Sequence, residues 1–136
     1  MRIVAEKLSF TYNKKSKFKV DALKDVTLTI EEGSFFGIIG HTGSGKSTFI
    51  QHLNGLIPVE KGLLTVGDIN LSDKKKIVRK RYKELRSKVG MVFQYPEYQL
   101  FAETVYEDVA FGFRNFFPDA DKEEEKRAVF ETLALL

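Results

Sequence analysis

The sequence predicts an α/β fold in which a small antiparallel β subdomain precedes the start of a parallel-sheet core. Three observations predict it. Two N-terminal segments alternate apolar and polar residues with period two. The run FFGII, residues 35–39, is nearly continuous in apolar residues, the mark of a strand buried on both faces. Between that run and an amphipathic helix lies GHTGSGKST, residues 40–48, which spends three glycines before closing on a lysine and two hydroxyls.

The elements follow in order. Leu8, Phe10 and Tyr12 alternate with Ser9 and Thr11, a half-buried strand, and the polar turn NKKSK follows. Val26, Leu28 and Ile30 alternate with Thr27 and Thr29, a second strand, and the link between the two suggests antiparallel pairing. After the glycine loop, Phe49, Ile50 and Leu53 recur at helical spacing, with Gly55 as the C-terminal stop. LLTVGDINL, residues 63–71, reads as a hairpin turning at Gly67-Asp68. Val78, Tyr82 and Leu85 give the next segment one buried helical stripe, and VGMVF, residues 89–93, reads as another short strand. Thr104 to Glu107 matches a capping box, with Val105 and Val109 on the helical face behind it. Asp121 to Glu124 opens a last helix the same way, with Val129, Leu133 and Leu136 on its core side. That helix has no stop signal and ends on apolar residues, so we expect the sequence to be cut from a longer one.

Composition narrows the function classes. The 136 residues suffice for one domain with a real core. The absence of cysteine excludes disulfides and thiolate metal sites, and it suits a reducing compartment. No apolar run approaches a membrane span, and Glu6 and Lys7 interrupt any signal-peptide core, so we expect a soluble, intracellular chain. The net charge of +3 hides an asymmetry: residues 74–88 hold nine Lys or Arg and one acid, Glu84, while the rest holds 13 basic and 18 acidic residues. The chain is thus mildly acidic with one basic segment, which is not the pattern of a nucleic-acid binder. That segment reads first as a solvated helix face, and second as a contact with acidic lipid headgroups or a partner subunit.

Gly40-x-x-x-x-Gly45-Lys46-Ser47 fits a phosphate-binding loop, which makes the fold that of a P-loop NTPase. A triphosphate needs many N–H donors that point inward with no side chains in the way. Gly40, Gly43 and Gly45 permit positive φ and close backbone approach, while His41, Thr42 and Ser44 complete the turn. The helix opening near Lys46 adds free amides and a positive dipole end. Lys46 brings a full charge to the β- and γ-phosphates, and Ser47 offers a hydroxyl to Mg²⁺. Thr48 is placed to bond the α-phosphate. Nothing marks His41 as catalytic; it reads as a variable loop side chain.

LSFTY (8–12), ALKDVTLTIEEGSFFGIIGHTGSGKST (22–48) and VGMVFQYPEYQLFAETVYEDVAFG (89–112) together resemble the ATP-binding subunits of ABC transporters. The likeness is to the energy-coupling-factor branch, and GHTGSGKSTFIQHLNGL resembles the second of its two paralogous ATPases. The resemblance implies an ABC ATPase-like fold. Residues 1–136 would be the N-terminal part of one nucleotide-binding domain, with the phosphate loop at 40–48, a glutamine loop around 94–104, and the remainder absent. It implies a subunit that binds ATP and Mg²⁺ and couples hydrolysis to uptake of a vitamin or metal ion. It would work at the cytoplasmic face of the cell membrane, as a heterodimer with a paralogous ATPase or else as a homodimer. Its other partners would be a membrane-embedded subunit and a separate substrate-binding membrane protein, with no nucleic acid.

The resemblance also implies roles. Tyr12 would stack on adenine; its other, lesser reading is a core-side strand residue. Gln94 would touch Mg²⁺ and the attacking water, and with Lys46 would serve catalysis. Residues 95–117, rich in Phe and Tyr, would face the membrane subunit or else fill a core. Hydrolysis needs a further acidic Mg²⁺ ligand and a carboxylate that orients water. No apolar strand ending in Asp-Glu, no LSGGQ-type signature and no switch histidine occurs in this sequence. We therefore expect the 136 residues alone to bind nucleotide, or to act as an assembly module, without hydrolysing it. A small P-loop kinase or GTPase would need an acidic strand or an Asn-Lys-x-Asp run within this length, and neither is found. A DNA-repair ATPase does not suit the PEYQLF segment.

Overall fold

The computed structural model describes residues 1–73 and 76–135, and the side chains of residues 76–80 are not among those described. Val78 and Leu136, expected on core faces, therefore lie outside the described side chains. The chain forms two compact units, Met1–Gly90 and Met91–Leu136.

The first unit is built on a four-stranded antiparallel sheet in the order β2-β1-β3-β4. Its strands are β1 (Ile3–Tyr12), β2 (Val20–Ile30), β3 (Lys61–Val66) and β4 (Ile69–Asn70). The two alternating segments of the sequence pair as expected, with Ile3 opposite Ile30 and Ala5 opposite Leu28. Register then shifts between Ala5 and Leu8, where Lys7 and Asp25 adopt left-handed backbone at φ 48 and φ 45. Side chains close this bulge. Thr27 Oγ1 accepts from the Lys7 amide at 3.0 Å, and Ser9 Oγ accepts from the Asp25 amide at 2.9 Å. The same hydroxyl donates to the Asp25 carboxylate, which holds that carboxyl below its usual range. The hairpin turns at Gly67-Asp68, as its sequence predicts.

Two helices belong to this unit, α1 (Lys46–Leu53) and α2 (Lys76–Lys88). Leu8, Leu64, Val66, Ile69, Phe49 and Leu85 are buried in one apolar cluster, so both helices contribute to the core beside the sheet. The basic segment is less solvated than its composition suggests. Arg81 pairs with Asp68 at the hairpin turn and with Glu84, and Arg86 donates to the carbonyls of Asn54 and Gly55, just past the end of α1. Cations there complement the negative end of a helix dipole.

Two expected strands are not formed. Residues 35–39 have no strand pairing, and Phe35 and Ile39 are fully exposed. Residues 89–93 likewise lack strand structure, and Val92 is exposed. A strand buried on both faces requires hydrogen-bonded neighbours and covering layers, and the described residues supply neither.

The second unit holds a 3₁₀ turn (Pro96–Gln99), which the sequence did not announce, then α3 (Val105–Phe116) and α4 (Lys122–Leu133). Asp121 and Glu124 form the full reciprocal capping box at the start of α4. At α3 only half of it forms: Thr104 accepts from the Glu107 amide, while the Glu107 carboxylate turns to Arg114 at 2.6 Å. Val105 is exposed, whereas Ala110 and Val129 are buried. Arg114 joins α3 to α4 by donating to both oxygens of Glu125, at 2.7 and 2.8 Å, and the Tyr106 hydroxyl donates to the same carboxylate at 2.9 Å. Among the described residues, no helix is long and apolar enough to cross a membrane.

The Arg114 guanidinium holds the Glu125 carboxyl down to about 2, from an ordinary 4.5. A carboxyl lowered in the folded state stabilises fully above its unfolded value and loses that contribution as pH falls through the folded one. In thermal melts of the full chain, wild type should exceed Glu125→Gln by a constant margin above roughly pH 5. The margin should shrink between 4.5 and about 2. A margin independent of pH in that window would show that the ionised pair does not hold α3 against α4.

Candidate functional site

The glycine loop runs directly into α1, and Gly45 is the residue at the junction, with φ 90. Gly43 also lies in the left-handed region, at φ 82. Gly45 is required twice over. Its φ suits glycine, and a Cβ there would lie 2.3 Å from the Ala22 carbonyl oxygen of β2. The loop is thus pressed against the sheet at the point where the helix begins. Gly40 needs space instead, because a Cβ would fall 2.6 Å from Ser44 Oγ.

The first intrahelical bond runs from the Phe49 amide to the Gly45 carbonyl at 2.9 Å. No side chain caps the amides before it, and the first turn contains no acid. It contains Lys46 instead, a cation at the positive end of a helix dipole, where an anion is the favoured neighbour. Its Nζ folds back over the loop and donates to the Gly40 and His41 carbonyls, each at 2.8 Å, and to Ser44 Oγ at 3.3 Å. Backbone dipoles hold this ammonium in place without neutralising its charge. His41 and Thr42 are exposed, and His41 Nδ1 donates to the Thr42 carbonyl at 2.7 Å. Ser47 is exposed in the first turn of α1.

Tyr12, at the end of β1, meets this loop. Its hydroxyl lies 3.3 Å from Thr48 Oγ1, and its ring stands edge-on to Phe10 at 4.8 Å. Tyr12 is 38% exposed, so it is not the core-side residue that strand alternation alone allowed. It lines an open depression of about 560 Å³ together with Phe10, Lys14 and Glu60, and Lys14 and Glu60 form an ion pair there. Tyr12, the loop and the start of α1 are therefore brought together in one unit.

Gln94 belongs to the other unit, in an exposed stretch before the 3₁₀ turn. Aromatics follow it: Tyr98, Phe101 and Phe117 are each more than half exposed, with Phe101 packed on Phe111 at 4.8 Å. Asp108 accepts from the amides of Phe101 and Ala102, which anchors that loop to α3.

One residue of the first unit gave no signal in the sequence. His52 is wholly buried on α1, with Nδ1 donating to the Thr48 carbonyl at 2.7 Å and its ring 5.1 Å from Phe10.

Comparison with known proteins places this geometry in a family. The family model described as ABC transporter matches residues 23–135. Over all 136 residues the chain is 47% identical to the energy-coupling factor transporter ATP-binding protein EcfA2 of Caldanaerobacter subterraneus, covering 46% of that protein. Over 115 residues it is 55% identical to the EcfA2 of Symbiobacterium thermophilum, covering 85% of this chain and 38% of that protein. The chain thus spans about half the length, or less, of the curated relatives it matches. Among solved structures, a dimeric ATP-binding cassette in a post-hydrolysis state, bound to ADP and Pi, superposes with TM-score 0.81 at 29% identity, over 97% of this chain and 56% of that one. CbiO1 from Clostridium perfringens, part of the ABC transporter complex cbiONQ, superposes with TM-score 0.75 at 31% identity, over 97% of this chain and 49% of that one. With a family match over most of its length and relatives about half identical to it, the chain belongs to the ABC transporter family.

Proposed function

We propose that these residues form the N-terminal part of one nucleotide-binding domain that binds ATP with Mg²⁺. The complete subunit couples ATP hydrolysis to solute uptake by an energy-coupling-factor transporter. The observation that carries this reading is the uncapped start of α1, with Lys46 held over the loop by the Gly40 and His41 carbonyls.

Each residue has a task. The amides of the loop and of the first turn of α1 bind the phosphates, and Gly40, Gly43 and Gly45 keep the approach clear. Lys46 exchanges its loop carbonyls for β- and γ-phosphate oxygens, gaining charge-assisted bonds. His41, Thr42 and Ser44 shape the turn, and Thr48 carries contact from the loop to Tyr12. Tyr12 presents its exposed ring to adenine. The donor set suits Mg²⁺ that arrives with the phosphates, since the described residues hold no cluster of three acids or histidines that would take a metal alone. Ser47 would hold it, and when bound it supplies charge neutralisation at the phosphate oxygens.

The exposed aromatics after Gln94 suit a surface that meets another protein. The proposed partners are a paralogous ATPase, a membrane-embedded subunit at the cytoplasmic face, and a separate membrane protein that selects the solute. The relatives' names, an energy-coupling factor transporter ATP-binding protein and a part of an ABC transporter complex, support assembly into a transporter. A vitamin or metal ion is the class of cargo. Binding is assigned to these residues, and hydrolysis to the complete subunit.

Three substitutions in the complete subunit test the site by calorimetry with Mg–ATP. Lys46→Ala should weaken binding roughly 10- to 150-fold, the value of charge-assisted hydrogen bonds. Equal affinity in both proteins would remove the loop's assigned role. Gly45→Ala forces left-handed strain of about 1–3 kcal/mol and a clash with the Ala22 carbonyl, so its melting temperature should fall together with affinity. An unchanged melt would mean that the loop does not press on β2. Tyr12→Ala should weaken ATP about five- to tenfold and leave inorganic triphosphate unaffected.

A further inference from the structure

His52 is a histidine in a place where a leucine would pack. It is fully buried, and its Nδ1 donates to the Thr48 carbonyl at 2.7 Å. Because a carbonyl only accepts, the proton sits on Nδ1 and leaves Nε2 as an acceptor. Nε2 is buried and finds no hydrogen-bond partner among the described residues. An unsatisfied buried acceptor is costly, and its presence in a native core calls for a reason. Burial also pushes the imidazole below its ordinary value, against the Thr48 bond and the charge of Glu60, so the ring is neutral at physiological pH.

The neighbours of His52 supply the reason. Phe10 stands edge-on to His52, with centroids 5.1 Å apart and planes at 77°. Phe10 also meets Tyr12 edge-on, at 4.8 Å and 89°. Tyr12 returns to α1 through its hydroxyl, 3.3 Å from Thr48 Oγ1, and Thr48 is the residue whose carbonyl His52 holds. Four residues therefore close a ring: His52, Phe10, Tyr12 and Thr48, with the last link made through the Thr48 main-chain carbonyl. Edge-to-face contacts fix the relative planes of aromatic rings, which a leucine at position 52 would not do. Three members of this ring are buried or half-buried; Tyr12 is the exposed one, and it lines the open depression together with Phe10.

We propose that His52 is a positioning residue for nucleotide-base recognition: through Phe10 and Thr48 it sets the plane and height at which Tyr12 meets the base. The proposal rests on the reading of Tyr12 as the base-stacking residue. It assigns His52 no contact with nucleotide, and it makes base affinity, rather than fold stability, the quantity that His52 serves.

The test uses the complete subunit. Wild type, His52→Leu, Tyr12→Ala and the double variant are titrated with Mg–ATP and with inorganic triphosphate. For His52→Leu we expect a melting temperature equal to or above wild type, since the unsatisfied nitrogen is gone. ATP affinity should be about three- to tenfold weaker, as for a lost aromatic contact, with triphosphate affinity unchanged. In the Tyr12→Ala background, His52→Leu should have no further effect. Phe10→Leu, which breaks the ring at another member, should reproduce the selective loss of ATP affinity. The proposal is overturned if His52→Leu weakens triphosphate as much as ATP, if its effect persists without Tyr12, or if His52→Leu or Phe10→Leu binds ATP like wild type. A Tyr12→Ala variant with wild-type ATP affinity would instead overturn the base-stacking reading itself.

Discussion

A lysine ammonium and a set of uncapped amides share the N-terminal turn of α1, and both carry positive charge toward the same point. Isolated, that arrangement opposes the helix dipole, because acids are the favoured residues there. It persists because loop carbonyls hold Lys46 from one side and because glycine at position 45 lets the loop lie on β2. The missing compensation is negative charge, which the phosphates of the proposed nucleotide would bring. The rest of the first unit serves to fix this turn in place. β2 provides the surface under Gly45, Phe49 buries the helix in the core, and Arg86 holds the carbonyls just past its far end.

The antiparallel sheet does more than support the loop. β1 ends on a tyrosine beside the first turn of α1, so one strand links the core to the site. The bulge at Lys7 and Asp25 shifts the register partway along this strand. Ser9 and Thr27 satisfy the backbone groups that the shift would orphan. The aromatic contacts beyond it, from Phe10 to Tyr12 and His52, join sheet and helix through side chains rather than backbone.

Much of this was legible in one dimension. The period-two alternation of residues 8–12 and 26–30 became β1 and β2, and the Gly67-Asp68 turn became a hairpin. Asp121 and Glu124 formed their capping box because both partners lie within four residues of one another. The same pattern at Thr104 formed only halfway, because Arg114 competes for the Glu107 carboxylate from two turns away. The runs at 35–39 and 89–93 have the composition of buried strands and do not pair, since pairing depends on neighbours that composition cannot supply. His52 was silent for a related reason. Its role depends on Phe10, more than forty positions away along the chain.

By itself, the sequence determined whatever depends on local spacing: the glycine positions of the loop, the lysine and hydroxyls that follow, the helix that opens there, and the alternation of two strands. Tertiary structure alone decided which distant groups meet. It brought Tyr12 to Thr48, pressed Gly45 against Ala22, and buried His52 against Phe10. The division is physical. Backbone geometry and helix dipoles act over a few residues, whereas the contact of two side chains depends on how the whole chain between them has packed.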